Sequence, residues 1–186
     1  DHAQDRLRFR FAALLDSLDQ LARNSLVVNA FVDSSGRELY LFATLRDFRA
    51  PFGLAHTLVL LDSNLSVFAQ AGRDAQLSPF EAEKARAAIL SGKMQLAFVE
   101  AGQRMQLLIA VPVYYPPASS HEGVFLATMA ATELIEPALR GLPATECLSV
   151  GVGGRTLVST PCDATHEDGQ LSAQVGIAGK AQGDVA

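Results

Sequence analysis

Leu7, Phe11, Leu14, Leu18 and Leu21 recur at intervals of four, three, four and three, a spacing that predicts a helix over residues 5–23 with one apolar face. Two readings of this heptad seam stand side by side. The helix lies on its own domain, or it continues from a membrane span and pairs with its copy in a dimer. SLVVNAFVD (25–33) and GRELYLFATLRDF (36–48) predict two more helices, the second with Ser35 as N-cap and Glu38 placed for a capping box. Ala50-Pro51-Phe52-Gly53 ends the helical section. From His56 the period changes to two: HTLVLLD, the turn SNL and SVFAQAG predict a hairpin over 57–72. Ser78, Pro79 and Glu81 supply a cap, a first-turn proline and a capping-box carboxylate, and Gly92 closes the helix predicted over 79–91. Strands follow at 93–101, 103–115 and 123–131, separated by Gly102-Gln103 and by PPASSHE. TELIEPALRGLP predicts a connecting helix over 132–140. The sum is α+β: a long N-terminal helix, then five antiparallel strands crossed by a helix.

A second hairpin ends the ordered pattern. CLSVGVGGRTLVSTPC (147–162), folded about a Gly154-Arg155 loop, sets Ser149 opposite Thr160 and Cys147 opposite Cys162. In that register the cysteines form a hydrogen-bonded pair with Cα atoms about 5.5 Å apart, within disulfide range. The functional reading is a structural disulfide formed in an oxidising compartment; the other is two small buried apolar residues in a cytosolic protein. At an offset of 90 residues, LVLLDSNLSVFAQ (58–70) lies over LSVGVGGRTLVST (148–160) with its loop and apolar positions in phase. This predicts an abbreviated second copy of the same unit, with GQLSAQVGI (169–177) as its third strand.

Composition narrows the function classes. The 186 residues are 49% apolar and 19% charged, enough for a core of ordinary size. A net charge of −5, without a basic run, offers nucleic acid no electrostatic footprint. The longest apolar run, LLIAVPV at 107–113, is strand-sized and falls short of the roughly 20 residues a membrane span needs. Beginning at Asp1 points to a processed or excised piece.

The residues RNSLVVNAFVDSSGRELYLFATLRDF (23–48), TLVLLDSNLSVFAQAG (57–72), AVPVYYPPASSHEGVFLATMAATELI (110–135) and LSVGVGGRTLVST carry a resemblance spanning nearly the whole chain. In this order of elements the sequence resembles the double Cache family. These PDC, or tandem PAS-like, sensors are the extracytoplasmic parts of bacterial histidine kinases, diguanylate cyclases and chemoreceptors. The resemblance implies a helical region over 1–49 with a dimerisation helix, a membrane-distal PAS-like module over 50–135 and an abbreviated membrane-proximal module over 136–186. It further implies flanking membrane helices outside the fragment, a periplasmic or extracellular location in an inner-membrane protein, a homodimer formed through the N-terminal helix, and compatibility with a Cys147–Cys162 disulfide.

That resemblance places a ligand in the distal module. Members that bind amino acids carry a tyrosine, an arginine and an aromatic before the first strand, a tyrosine on a late strand and an aspartate after the last. Tyr40, Arg46 and Phe48 match the first group and Tyr114 or Tyr115 the second; the aspartate position holds Thr132. Arg46 is suited to a ligand carboxylate, bidentately. Threonine cannot pair with an ammonium, which favours a carboxylic acid or a neutral compound over an α-amino acid. Each residue has an ordinary alternative: Arg46 and Asp47 as a solvated helix face, Tyr40 and Tyr114 as core aromatics with a wet hydroxyl.

Catalytic chemistry is not expected of the fragment. His2, His56, His121 and His166 stand outside any HExxH or paired metal spacing, and no GxSxG elbow occurs. The acidic stretch DATHEDG (163–169) lacks EF-hand spacing. No metal or cofactor is implied. The leading expectation is an extracytoplasmic sensor that binds a small molecule in its distal module and signals to a cytoplasmic kinase, cyclase or chemotaxis output. Its rival is a cytosolic PAS or GAF-like dimerisation or interaction module without a ligand.

Overall fold

A computed structural model describes residues 2–72, 76–102, 104–140, 149–152 and 155–159. Helix α1 (His2–Ala22) buries Ala3, Leu7, Phe11, Leu14, Leu18, Leu21 and Ala22 against the chain's own sheet. The heptad seam is therefore buried within the protomer.

The segment after α1 is more broken than its periodicity predicts. Only Ser25–Asn29 (α2) of the first stretch is helical, capped by the Asn24 carboxamide, which accepts from the Leu26 N–H at 2.9 Å. The second helix starts earlier than expected. Asp33, not Ser35, is the cap, its carboxylate accepting from the Ser35 N–H at 3.0 Å. An aspartate two residues upstream fills the cap role as well as a serine does. From there α3 (Ser34–Gly36) passes through a π-helical turn (Arg37–Leu41) into α4 (Phe42–Asp47).

The sheet follows the alternating pattern. Strands β1 (His56–Asp62) and β2 (Val67–Ala71) are joined by a turn in which the Asp62 carboxylate accepts from the N–H groups of Asn64 and Ser66. Helix α5 (Pro79–Ser91) carries the predicted capping box. The Ser78 hydroxyl accepts from the Glu81 N–H at 3.2 Å, the Glu81 carboxylate accepts from the Ser78 N–H at 2.8 Å, and left-handed Gly92 ends the helix. Strands β3 (Gln95–Ala101), β4 (Arg104–Tyr115) and β5 (Ser120–Ala130) complete an antiparallel sheet ordered β2-β1-β5-β4-β3. β5 begins at Ser120, three residues before its expected start, because its ladder with β4 runs on to Tyr115.

Period-two alternation sorts the sheet into two faces. Leu58, Leu60, Leu107, Ile109, Phe125, Ala127 and Met129 meet the side of α1, α2, α4 and α6; Val59, Leu61, Leu108, Ala110, Val124 and Leu126 meet Ala85 and Ala88 of α5.

Helix α6 (Ala131–Leu139) returns along α1. Pro137 lies inside it and has no N–H to offer the Glu133 carbonyl. Arg10 of α1 donates there instead, at 3.2 Å, and to the Leu134 carbonyl at 2.8 Å, while its guanidinium lies 4.2 Å from the Phe52 ring centroid. Arg6 donates to the Arg140 carbonyl at 3.0 Å. Two arginines thus tie α1 to backbone carbonyls of and just beyond α6.

Beyond α6, β6 (Ser149–Val152) pairs with β7 (Arg155–Ser159). Its register corrects the sequence reading. Ser149 faces Ser159 rather than Thr160, because the pair nearest the turn is Val152–Arg155 and a bulge follows between Val150 and Gly151. Cys147, Cys162, residues 163–169 and the expected strand at 169–177 lie outside the described residues. No helix among the described residues is long and apolar enough to cross a membrane.

Candidate functional site

The register of β3 creates the site. Its ladder with β4 begins at Gln95 opposite Ala110, so β4 runs past β3 from Val111 to Tyr115 with one edge unpaired. Pro112 sits on that free edge, where a missing N–H costs no ladder bond. Beyond it, Tyr115 turns toward the α1 face and joins the core there, while Tyr114 is 46% exposed. A 3₁₀ turn (Pro116–Ala118) and left-handed Ser119 reverse the chain.

On the return strand, the ladder shifts between Val113 and Tyr114: Val113 faces Gly123 and Tyr114 faces His121, which makes Glu122 the extra residue of a bulge. The His121 ring lies 5.4 Å from that of Tyr114, inclined at 58°. Its other neighbour is Gly92, where a Cβ would come within 2.6 Å of the imidazole Cε1. The glycine that caps α5 therefore also makes room for the histidine. The Ser120 hydroxyl bonds the Glu122 carboxylate.

Opposite this wall stand the last turn of α1, with Asp19, Ala22 and Arg23, and α2, with Ser25, Val28 and Asn29. Between the two walls opens a cleft of 640 Å³, within the roughly 300–1,000 Å³ typical of small-molecule sites. Arg23 donates through Nε to the Asp19 carboxylate at 2.6 Å, and that hydrogen bond and charge raise the guanidinium pKa above its ordinary value. The cleft thus combines tyrosine, histidine and proline surfaces with an ion pair and the polar side chains of Ser25 and Asn29.

The residues matched to the family's ligand set are dispersed. Tyr114 lines the cleft. Tyr40 lies 54% exposed on the π-helical turn, and Arg46 is exposed on α4, bonded to Asp47 at 3.2 Å. Phe48 is half-buried, its ring edge-on to His56 at 5.3 Å, beside the start of β1. Thr132 follows β5 on α6, about 30 Å along the strand from the cleft at roughly 3.3 Å per residue. The space between the sheet and α5 is closed by Ala85, Ala88, Leu108, Ala110 and Leu126, all at most 2% exposed.

His121, Asp19, Arg23 and Asn29 were not legible as a group. The available signal was Pro112 inside an otherwise apolar strand followed by Tyr-Tyr-Pro-Pro, which marks an unpaired edge ending in aromatic residues.

Sheet order, the long helix on one face and the short helix on the other define a PAS-like α+β fold. No family model and no curated protein matches the sequence. Among solved structures, the periplasmic domain of LuxQ from Vibrio cholerae aligns over 90% of this chain and 78% of its own, with a TM-score of 0.52 and 17% identity. A second crystal structure of that domain aligns over 92% of this chain and 79% of its own, with a TM-score of 0.48 and 18% identity. What the chain shares with that periplasmic domain is its fold.

Proposed function

We propose that the chain is the extracytoplasmic sensor domain of a membrane signalling protein, binding a small molecule in the cleft and reporting its occupancy to a cytoplasmic kinase, cyclase or chemotaxis output. The observation that carries this reading is the fold held in common with a periplasmic domain over 90% of the chain. The cleft supports the ligand-binding part. Its walls belong to different elements: the end of α1 with α2, and the overhanging end of the β4–β5 hairpin. A ligand touching both favours the arrangement in which they stand closest, by the difference in its affinity for the two states. Movement of α1 then reaches α6 through Arg6 and Arg10, and α6 leads toward the β6–β7 hairpin.

The test is a thermal-shift screen of the purified chain against organic acids, amino acids, amines and nucleobases. A ligand at 100 times its dissociation constant adds about 2.7 kcal/mol of stability. Tyr114→Ala, a change at an exposed position, should abolish the shift while leaving the unliganded melting temperature in place. A hit indifferent to Tyr114→Ala would move the site elsewhere, and a blank panel would remove the small-molecule part of the proposal. Location is tested separately: an alkaline phosphatase fusion in the native membrane context should be active, and an inactive one favours the cytosolic interaction module.

A further inference from the structure

The cleft between α1–α2 and the β4–β5 hairpin has two unlike walls. On the strand side, Pro112, Pro116, Pro117, Tyr114 and His121 present ring surfaces. Tyr114 is exposed there, and its ring is inclined at 58° to that of His121. On the helix side Ala22 and Val28 are apolar and buried, and the polar groups are Ser25, Asn29 and the Asp19–Arg23 pair. One side-chain bond joins that pair, Arg23 Nε donating to one Asp19 carboxylate oxygen at 2.6 Å. Among the described residues neither side chain makes another, so the Nη groups of Arg23 and the second oxygen of Asp19 are free to bond a ligand. This wall offers donors and an acceptor side by side, and the Asn29 carboxamide adds both kinds.

Resting on the reading of the cleft as a ligand site, we infer that its ligand is an uncharged planar ring compound with neighbouring hydrogen-bond donor and acceptor groups on one edge, the class that includes nucleobases and aromatic amides. Flat faces suit the strand wall, where aromatic rings stack or meet edge to face. The polar edge suits the helix wall, its acceptor taking a bond from Arg23 Nη and its donor giving one to Asp19 or Asn29. Charge decides against ions. With histidine counted neutral the lining sums to zero, because its charged residues are Asp19 and Arg23 and they hold each other. An ion gives up hydration on entering and recovers it only from an opposite charge. A carboxylate reaches Arg23 only beside Asp19, and an ammonium reaches Asp19 only beside Arg23, so each meets a like charge together with its partner. A zwitterion finds both partners but desolvates two charges to do so. An uncharged edge uses the same groups at the smallest desolvation cost.

Titration of the purified chain by ligand-observed NMR tests it. Benzamide, benzoate and benzylamine are probes of one shape and different charge; adenine, hypoxanthine, cytosine and the zwitterion phenylalanine complete the panel. Uncharged probes should bind most tightly, and their dissociation constants should change less than about twofold between low and physiological salt, since screening acts on charges. Tyr114→Ala should weaken them about tenfold through loss of a stacking face. Asp19→Asn leaves Arg23 unmatched and should move the preference from benzamide to benzoate, while Arg23→Gln should move it to benzylamine, with circular dichroism confirming that each variant is folded. Benzoate, benzylamine or phenylalanine binding the wild type more tightly than every uncharged probe, and losing that binding in Tyr114→Ala, would overturn the ligand class and leave the cleft as a site. A selectivity unmoved by both charge variants would overturn it as well, because the ion pair would then face no ligand. A panel in which no uncharged probe binds also retires the class, and the thermal-shift screen decides separately whether the cleft binds anything.

Discussion

Helices α1 and α5 cover opposite faces of one sheet by different means. α1 sets leucines and a phenylalanine into its face of the sheet, with Leu14 and Leu18 at 0% and 1% exposure. α5 buries only Glu81, Ala85 and Ala88, and its larger side chain Leu90 points out at 80% exposure. Each fully buried leucine contributes about 1.5–3 kcal/mol from apolar surface removed from water, so α1 is held chiefly by what it packs against. Alanines contribute little area but let the α5 backbone approach closely. α5 therefore owes more of its helical state to its ends: the capping box, Pro79 and Gly92. Close approach packs Ala85 and Ala88 of α5 directly on Leu108, Ala110 and Leu126 of the sheet.

The largest expected effect is on the α1 face. Leu14→Ala removes a side chain at 0% exposure that sits mid-seam, and the transfer and cavity terms together cost about 2–5 kcal/mol. Urea unfolding followed by circular dichroism measures it. A loss below about 1 kcal/mol, outside the usual range for leucine truncation, would mean that α1 is only loosely docked and that the contrast with α5 is false.

On the other face the damaging change is the opposite one. Ala85 is 0% exposed and borders Leu108, Ala110 and Leu126. Ala85→Leu forces α5 off the sheet and should cost about 1–3 kcal/mol, as overpacking of a filled core does. If the melting temperature rose instead, the leucine would have filled a void, and the α5 face would be a pocket after all.

The same contrast explains what the sequence made legible. Helices α1 and α5 announced themselves, one by its four-three periodicity and one by its caps, and the five strands by alternation and turns. Each of those signals lies within a short window. The Asp33 cap was missed because Ser35 satisfies the same local rule. The β6–β7 register was missed because Gly151, Gly153 and Gly154 allow more than one turn and little side-chain pattern chooses between them. The cleft was illegible for a further reason: Asp19, Asn29, Gly92, Tyr114 and His121 meet only because β3 stops short of the end of β4 and α1 ends above that gap. No local pattern records how far one strand overhangs another. By contrast, Tyr40 and Arg46 share the helical segment that ends at Asp47, and Thr132 stands on α6.

The smallest effect sharpens the comparison most. In Ser78→Ala the Glu81 N–H loses its acceptor at 3.2 Å, and the Glu81 carboxylate loses the hydroxyl donor at 2.9 Å while keeping the Ser78 N–H at 2.8 Å. Loss of a serine cap costs about 1 kcal/mol, within a range of 0.5–2. Glu81 is itself buried, at 9% exposure, so the lost hydroxyl donor is one that water does not simply replace. Ser78→Asp keeps an acceptor for the amide but sets a second carboxylate beside the first, so it should rescue less than a helix N-terminus ordinarily grants an aspartate. Amide hydrogen exchange resolves where the loss falls. Faster exchange confined to α5 supports a helix made by its ends; acceleration shared equally with α1 would show that both helices depend on one common core and that the difference between the faces is only one of side-chain size.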